Sequence, residues 1–289
     1  MPLVRCLLIF VGAALYGQDT RVILLGTGTP NPDPDRMGPA VAVVSGERVY
    51  IVDCGPGVVR RAAQAGIRMP QLTRAFLTHL HSDHTAGLAD LILTPPNSDR
   101  RDPLEIYGPP GTHAMTGHLM KAFREDFEIR LHGTQPVDPR GFQAVARDVR
   151  PGEIYRDEQV RVIAFAVPHG AWKHAYGYRF EARDKVIVIS GDTTYSEALI
   201  AAAKGADILV HEVYSRKGWE GRTAGWQKYH AAYHTSGPDV GRVAAAVRPK
   251  KLVLYHLLPM GQPPAQILAE IRTAWDGEVV YGKDLDVIR

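Results

Sequence analysis

The sequence predicts a layered α/β protein. Three observations carry this: short β-branched runs recur along the chain, helix-like stretches lie between them, and the strands-then-helices order of the first half repeats in the second. Composition agrees. Of 289 residues, 45% are hydrophobic and 22% charged, close to the average for soluble globular proteins, which excludes disorder, collagen and coiled coil. The 34 Lys and Arg against 31 Asp and Glu leave a formal charge of +3 without a basic block, too weak by itself to argue for nucleic acid. The unusual feature is 12 histidines against 2 cysteines.

Residues 1–17 read as a secretory signal peptide. Arg5 is the only charge before Asp19, Cys6–Tyr16 is unbroken and apolar, and Gly17-Gln18-Asp19-Thr20 turns polar. The apolar run is shorter than the roughly 20 residues that span a bilayer, so stable membrane insertion is not expected. The expected location is secreted or periplasmic, or cytoplasmic if the N-terminus is not cleaved. Cleavage after Gly17 leaves Cys54 as the one cysteine and no internal disulfide. Residues 18–289 read as a single domain.

Strands are expected at Val22–Leu25, Val41–Val44, Val49–Val52, Ala75–Thr78, Val160–Val167, Tyr176–Phe180, Val186–Ser190, Ile208–Val210, Leu252–Tyr255 and Val279–Tyr281, where Val and Ile concentrate. Helices are expected at Gly57–Ala65, Thr85–Leu93, Thr112–Phe127, Ser196–Ala203, Ser236–Ala246 and Pro264–Trp275. The Pro-rich Asn31–Asp35 reads as a rigid loop.

The histidines are not scattered. Residues 78–87 read Thr-His-Leu-His-Ser-Asp-His-Thr-Ala-Gly, directly after an apolar strand. His79 and His81 are two apart, so on a strand end both point to one side. Asp83 and His84 follow at the turn into a helix. Imidazole and carboxylate together suit zinc, and also iron or manganese. Four such groups can serve two metals but saturate neither, so further ligands are expected at later strand ends. His169, Asp192 and His256 each follow an apolar strand, at the edge where α/β ligand sites gather.

The run His79-Leu80-His81-Ser82-Asp83-His84 resembles the H-x-H-x-D-H signature of the metallo-β-lactamase superfamily, and His169, Asp192 and His256 fall in the family's order. The resemblance implies a four-layer αβ/βα sandwich with the metals at one edge of its central sheets. It implies two zinc ions, with manganese or iron as alternatives in one site. His79, His81 and His169 would hold the first metal, Asp83, His84 and His256 the second, and Asp192 would bridge them. Such a pair activates a water for hydrolysis without a serine or cysteine nucleophile. Asp53, in the run Asp53-Cys54-Gly55-Pro56-Gly57, is expected to fix a ligand histidine or the neighbouring turn, with Cys54 buried beneath.

His211-Glu212 and His234-Thr235-Ser236 resemble the HEAT and HST motifs of the tRNase Z branch, which makes Glu212 and His234, with Asp83, the expected catalytic residues. A carboxylate bonded to a histidine orients it and raises its pKa, giving a general acid. The long tRNA-gripping arm of that branch has no counterpart, because only Phe180–Lys185 separates Arg179 from Val186. Leu25–Ala40 and the DCGPG run look more like arylsulfatase and phosphodiesterase relatives. Trp172, Trp219 and Trp226 lie in polar, Gly-containing stretches expected to be loops, where aromatics wall a pocket or anchor the loop. Surface or structural roles are expected for His113, His118, His132, His174 and His230. The expected function is therefore a binuclear-zinc hydrolase of phosphodiester or aryl sulfate esters. A tRNase Z-type endoribonuclease and a β-lactam or lactone hydrolase are the alternatives. The expected partner is a small-molecule ester and not nucleic acid, and the resemblance allows a homodimer.

Overall fold

The computed structural model describes residues 19–289, so the leader expected at residues 1–17 lies outside the described residues. In the first sheet, β1 (Arg21–Gly26), β2 (Ala40–Ser45) and β3 (Arg48–Val52) are antiparallel. β4 (Arg74–Phe76), β5 (Leu104–Gly108) and β6 (Ala144–Asp148) extend it in parallel. The second sheet begins with β7 (Gly152–Arg156), β8 (Val160–Ala166), β9 (Tyr176–Ala182) and β10 (Val186–Ile189), all antiparallel. β11 (Ile208–Tyr214), β12 (Lys251–Leu258) and β13 (Val279–Tyr281) complete it in parallel. β14 (Val287–Ile288) returns to the edge of the first sheet beside β1.

The sequence pattern explains the stacking. Along β1, Val22 and Leu24 face the second sheet while Ile23 and Leu25 face helices, the period-2 alternation of a strand buried on both sides. Three apolar cores result. The middle one joins Val41, Tyr50 and Phe76 to Val162, Tyr178 and Val253 across the two sheets. Outside the first sheet pack α1 (Val58–Gln64), the single turn α2 (Ser82–Thr85), α3 (Leu88–Leu93), α4 (Thr112–Ala122) and α5 (Arg124–His132). Outside the second pack α6 (Glu197–Ala203), and, after the short α7 (Arg216–Glu220) and α8 (Ala224–Tyr233), α9 (Gly237–Val247) and α10 (Pro264–Arg272). This is the four-layer sandwich the resemblance implies.

All ten expected strands are present. β5, β6, β7 and β14 were not foreseen: β6 and β7 are largely exposed, so no apolar run marks them. The helix expected over Thr112–Phe127 breaks at Phe123, whose φ of −103° and ψ of 18° leave the helical region. Trp219 and Trp226 stand on α7 and α8, not in loops; Ser215 caps α7 by accepting from the Gly218 N–H despite the glycines nearby. Among the described residues no helix is long and apolar enough to cross a membrane.

One buried side chain ties down the layer that carries the histidine motif. Arg100 is 1% exposed and donates to the carbonyls of Leu91 (2.8 Å) and Ile92 (2.9 Å) at the end of α3. It also reaches Leu72 O (3.1 Å) and Gly141 O (2.7 Å). Burial pulls its guanidinium down to about 10, which still leaves it charged at neutral pH. Arg100→Ala is expected to cost on the order of 3 kcal/mol in denaturant unfolding, because several buried carbonyls lose a charged donor. Arg100→Lys should recover little, since an ammonium on a flexible stem cannot reproduce the planar fork.

Candidate metal centre

The expected ligands converge from both sheets onto one edge. Past β4 the chain runs through Thr78 to His79 and His81, and α2 then carries Asp83 and His84. His169 follows β8 and Asp192 follows β10, after Gly191 at φ 62°. A Cβ on Gly191 would sit 2.5 Å from Tyr176 O, so only glycine fits this turn. His256 is set differently from expectation: it lies inside β12, not after the strand. Tyr255 pairs with Glu212 and Leu257 with Val213, leaving His256 as the extra residue of a bulge at φ 42°. The bulge re-aims its side chain into the site.

Two groups result. His79 Nε2 and His169 Nε2 lie 2.9 and 3.2 Å from His81 Nδ1, with Asp192 Oδ2 at 3.9 and 4.0 Å from the first two. In the other, Asp83 Oδ2 is 3.5 Å from His84 Nε2 and 3.3 Å from His256 Nε2. Asp192 Oδ2 is 3.4 and 3.3 Å from the same two nitrogens, so one carboxylate faces both groups. Within each group the ligand atoms lie within 4.8 Å of one another.

The donor set fits metal ions. His84 Nε2 and Asp192 Oδ1 are buried without a hydrogen-bond partner, an arrangement that a cation would satisfy. The outward nitrogens are already held: His84 Nδ1 lies 2.8 Å from Asp53 Oδ2, His79 Nδ1 3.0 Å from Thr78 Oγ1, and His169 Nδ1 2.7 Å from Tyr233 O. Trp172 donates its indole N–H to His81 Nε2 at 2.8 Å. The acceptors beside His84, His79 and His169 fix the orientation and tautomer of those rings. His81, which accepts at Nε2, instead carries its proton on Nδ1 and would ligate through that atom only with the Trp172 bond released. Asp53 also accepts from the Thr78 N–H at 2.8 Å, joining β3 to the histidine loop. Cys54 is buried, and its backbone bonds His84 O and Gly87 N. Thr27 gives up its N–H and hydroxyl to Asp284, which makes Gly26–Gly28 a pinned turn.

Electrostatics divide the cluster. Burial pushes His79 well below the imidazole range and His169 to about 4, and lowers His81, so the trio is neutral, the form that ligates. For His84 and His256 burial is outweighed by Asp192 together with Asp53 and Asp83, and both rise. Asp83 and Asp192 fall despite burial because these histidines favour their charge.

Beside this lies the buried pair Glu212 and His234. Glu212 Oε1 accepts from the N–H groups of Thr193 and Thr235, both at 3.1 Å, while Oε2 is 3.3 Å from His234 Nδ1. The raised histidine pKa expected from this contact does not occur. Burial draws His234 down to about 4 and, with Asp192, holds Glu212 well above the carboxylate range. His211 is buried against its neighbour's carbonyl. His113, His118, His132 and His174 are exposed away from the cluster.

A cavity of about 430 Å³ opens over Asp83, Asp192, His234 and His256. Pro30 and Asn31 form one wall, Trp226, Tyr229 and His230 the other. Tyr229 and Tyr233 escaped the sequence reading. The signal was available in the spacing Trp226, Tyr229, His230, Tyr233, one face of a helix.

Comparison with known proteins locates the family. A Beta-lactamase superfamily domain model matches residues 48–257. Ribonuclease Z of Mycolicibacterium gilvum is 33% identical over 270 residues, 91% of this chain and 94% of that one. Ribonuclease Z of Mycobacterium bovis is likewise 33% identical over 270 residues, 91% of this chain and 96% of that one. The crystal structure of human tRNase Z, short form, superposes with a TM-score of 0.70 at 23% identity, over 93% of this chain and 98% of that one.

These relatives overturn two expectations, the small phosphodiester or aryl sulfate substrate and the exclusion of nucleic acid. They rested on the missing arm, on the expected signal peptide, and on the likeness of Leu25–Ala40 and the DCGPG run to arylsulfatase and phosphodiesterase relatives. The structure does hold only Arg183–Lys185 between β9 and β10. Yet the M. gilvum relative, aligned over 91% of this chain and 94% of its own length, is named for a ribonuclease. The H-x-H-x-D-H run, the matched domain and the shared fold agree: this chain belongs to the metallo-β-lactamase superfamily.

Proposed function

We propose that this protein is a tRNase Z-type endoribonuclease, hydrolysing one phosphodiester to release the 3′ trailer of precursor tRNA. The observation that carries the reading is the likeness to ribonuclease Z relatives across nine-tenths of the chain. The open cavity beside a two-part ligand cluster supports it. His79, His81 and His169 would hold one ion, Asp83, His84 and His256 another, with Asp192 between; the imidazole and carboxylate donors suit zinc. Metals so bound polarise the phosphate and activate a water. This reading goes with the cytoplasmic alternative, in which residues 1–17 remain on the chain.

The chain's own residues supply the rest. Breaking the P–O bond leaves a ribose oxygen that must be protonated. His234 turns Nδ1 toward Glu212 and so has Nε2 for the cavity it lines. Glu212, fixed by two backbone N–H groups, orients that ring, and the negative phosphate of a bound substrate would raise the ring's pKa from about 4 so that it carries the proton. Asp83, on the cavity floor, holds His256 in line.

Zinc-loaded protein incubated with a trailer-bearing precursor tRNA should make one cut and release the trailer. Hydrolysis of a model phosphodiester with no cut in the RNA would overturn the reading. Chelation should abolish cleavage and added zinc restore it, and Asp192→Ala should lose all measurable turnover. His234→Ala should slow RNA cleavage about 10²- to 10⁴-fold, the usual contribution of a positioned acid. It should slow bis-p-nitrophenyl phosphate far less, because p-nitrophenolate departs without protonation; equal losses on both substrates would remove the acid role. Asp53→Ala should weaken binding of the ion held by His84 about 10- to 100-fold, read by competition with a chromogenic chelator.

A further inference from the structure

The structure offers another way to hold RNA. We propose that α7 and α8 form the RNA-gripping element of this chain, with a nucleobase next to the scissile phosphate stacked on Trp226 and Tyr229; this rests on the ribonuclease reading above.

Trp226, Tyr229, His230 and Tyr233 are spaced three and four apart, so α8 presents them on one face. Their rings make a continuous path from solvent to the ligand cluster. Trp226 is 55% exposed and Tyr229 37%, unusual for side chains of this size. The rings of Tyr229 and Tyr233 stack at 4.5 Å and 22°, and Tyr233 meets His169 edge-on at 5.0 Å. The helix is pinned at its inner end, where Tyr233 O accepts from His169 and Ala232 O accepts from Gly170 N–H. Trp226 and Tyr229 line the same cavity as Asp83, Asp192 and His234. An occupant there would lie beside whatever bond is cut, and the exposed rings favour one with a flat face to stack on them.

Charge selects the same occupant. Arg216, Lys217, Arg222 and Lys228 are all exposed, against the one acid Glu220 between Ser215 and Lys228. Arg216 lies over the Trp219 ring at 4.9 Å. Cations interleaved with exposed aromatics suit a single strand, phosphates on the charges and bases on the rings, with little sequence preference. The three-residue turn Arg183–Lys185 provides no such surface.

The test is a cycle on precursor tRNA carrying an abasic nucleotide at either position flanking the cut. Trp226→Ala should lower kcat/KM about 10- to 100-fold, the range for losing one base stack. An abasic substitution at one of the two positions should cost wild type the same factor and the variant nothing further. Trp226→Phe should recover most of the loss. Arg222→Ala and Lys228→Ala should each flatten the slope of log affinity against log salt by about 0.7. Full activity in Trp226→Ala, or losses that multiply independently at both positions, overturns the proposal while leaving the ribonuclease reading intact. If wild type cuts no precursor tRNA, that reading fails, and anisotropy with a labelled single-stranded RNA decides the stacking. Binding weakened by Trp226→Ala upholds it, and absent or unchanged binding overturns it.

Discussion

One buried carboxylate organises the molecule's working edge. Asp192 Oδ2 lies 3.3–4.0 Å from ring nitrogens of five histidines: His79, His84, His169, His234 and His256. Removing a carboxylate from water costs several kcal/mol unless neighbouring charge and hydrogen bonds offset it. Here the neighbours come from both sheets, so the offset exists only when the sheets are docked in register. The middle core provides that register, with Phe76 beneath the histidine loop packed on Tyr178 and Phe180 of β9. Packing and electrostatics are therefore one constraint: the apolar layer sets the distances, and the distances make the buried charges tolerable.

Much of this was legible in the sequence for a physical reason. Strands buried on both faces must be apolar throughout, so Val22–Leu25 or Val186–Ile189 cannot be mistaken for surface. Metal ligation also demands particular side chains at particular places, and the fold brings the seven expected ligands to one edge, with His234 grouped beside Asp192 and His256. What stayed hidden lacks such demands. β6 is exposed along most of its length and carries no apolar pattern. α7 and α8 are masked by Gly218, Gly221 and Gly225, although Ser215 and the buried Glu270, which accepts from the N–H groups of Arg216 and Lys217, fix where the segment starts. The bulge at His256 depends on pairing with β11, a non-local fact that no window of sequence contains.

The substrate was misread for a different reason. A two-metal edge of this kind suits hydrolysis of many esters, and its residues alone do not distinguish RNA from a small ester. The distinction lies in what surrounds the edge. The turn between β9 and β10 is short, whereas the segment between β11 and α9 brings aromatics and cations together on α7 and α8. Absence of one gripping element says nothing about another built from different residues.

Strain at the site points the same way as charge. Asp53 at φ 61° and His256 at φ 42° adopt a left-handed backbone that costs non-glycine residues on the order of 1–3 kcal/mol each. Both are locked from outside the cluster. Asp53 is held by Thr78 and by the bond from its N–H to Phe76 O, His256 by the strands on either side of its bulge. Each aims a side chain: Asp53 at the far nitrogen of His84, His256 at the carboxylates of Asp83 and Asp192. The same backbone also occurs at Asp99, Arg248, Met260 and Leu285, but at Asp53 and His256 relaxing it would take apart one ligand group, and the sandwich beneath is what sustains it.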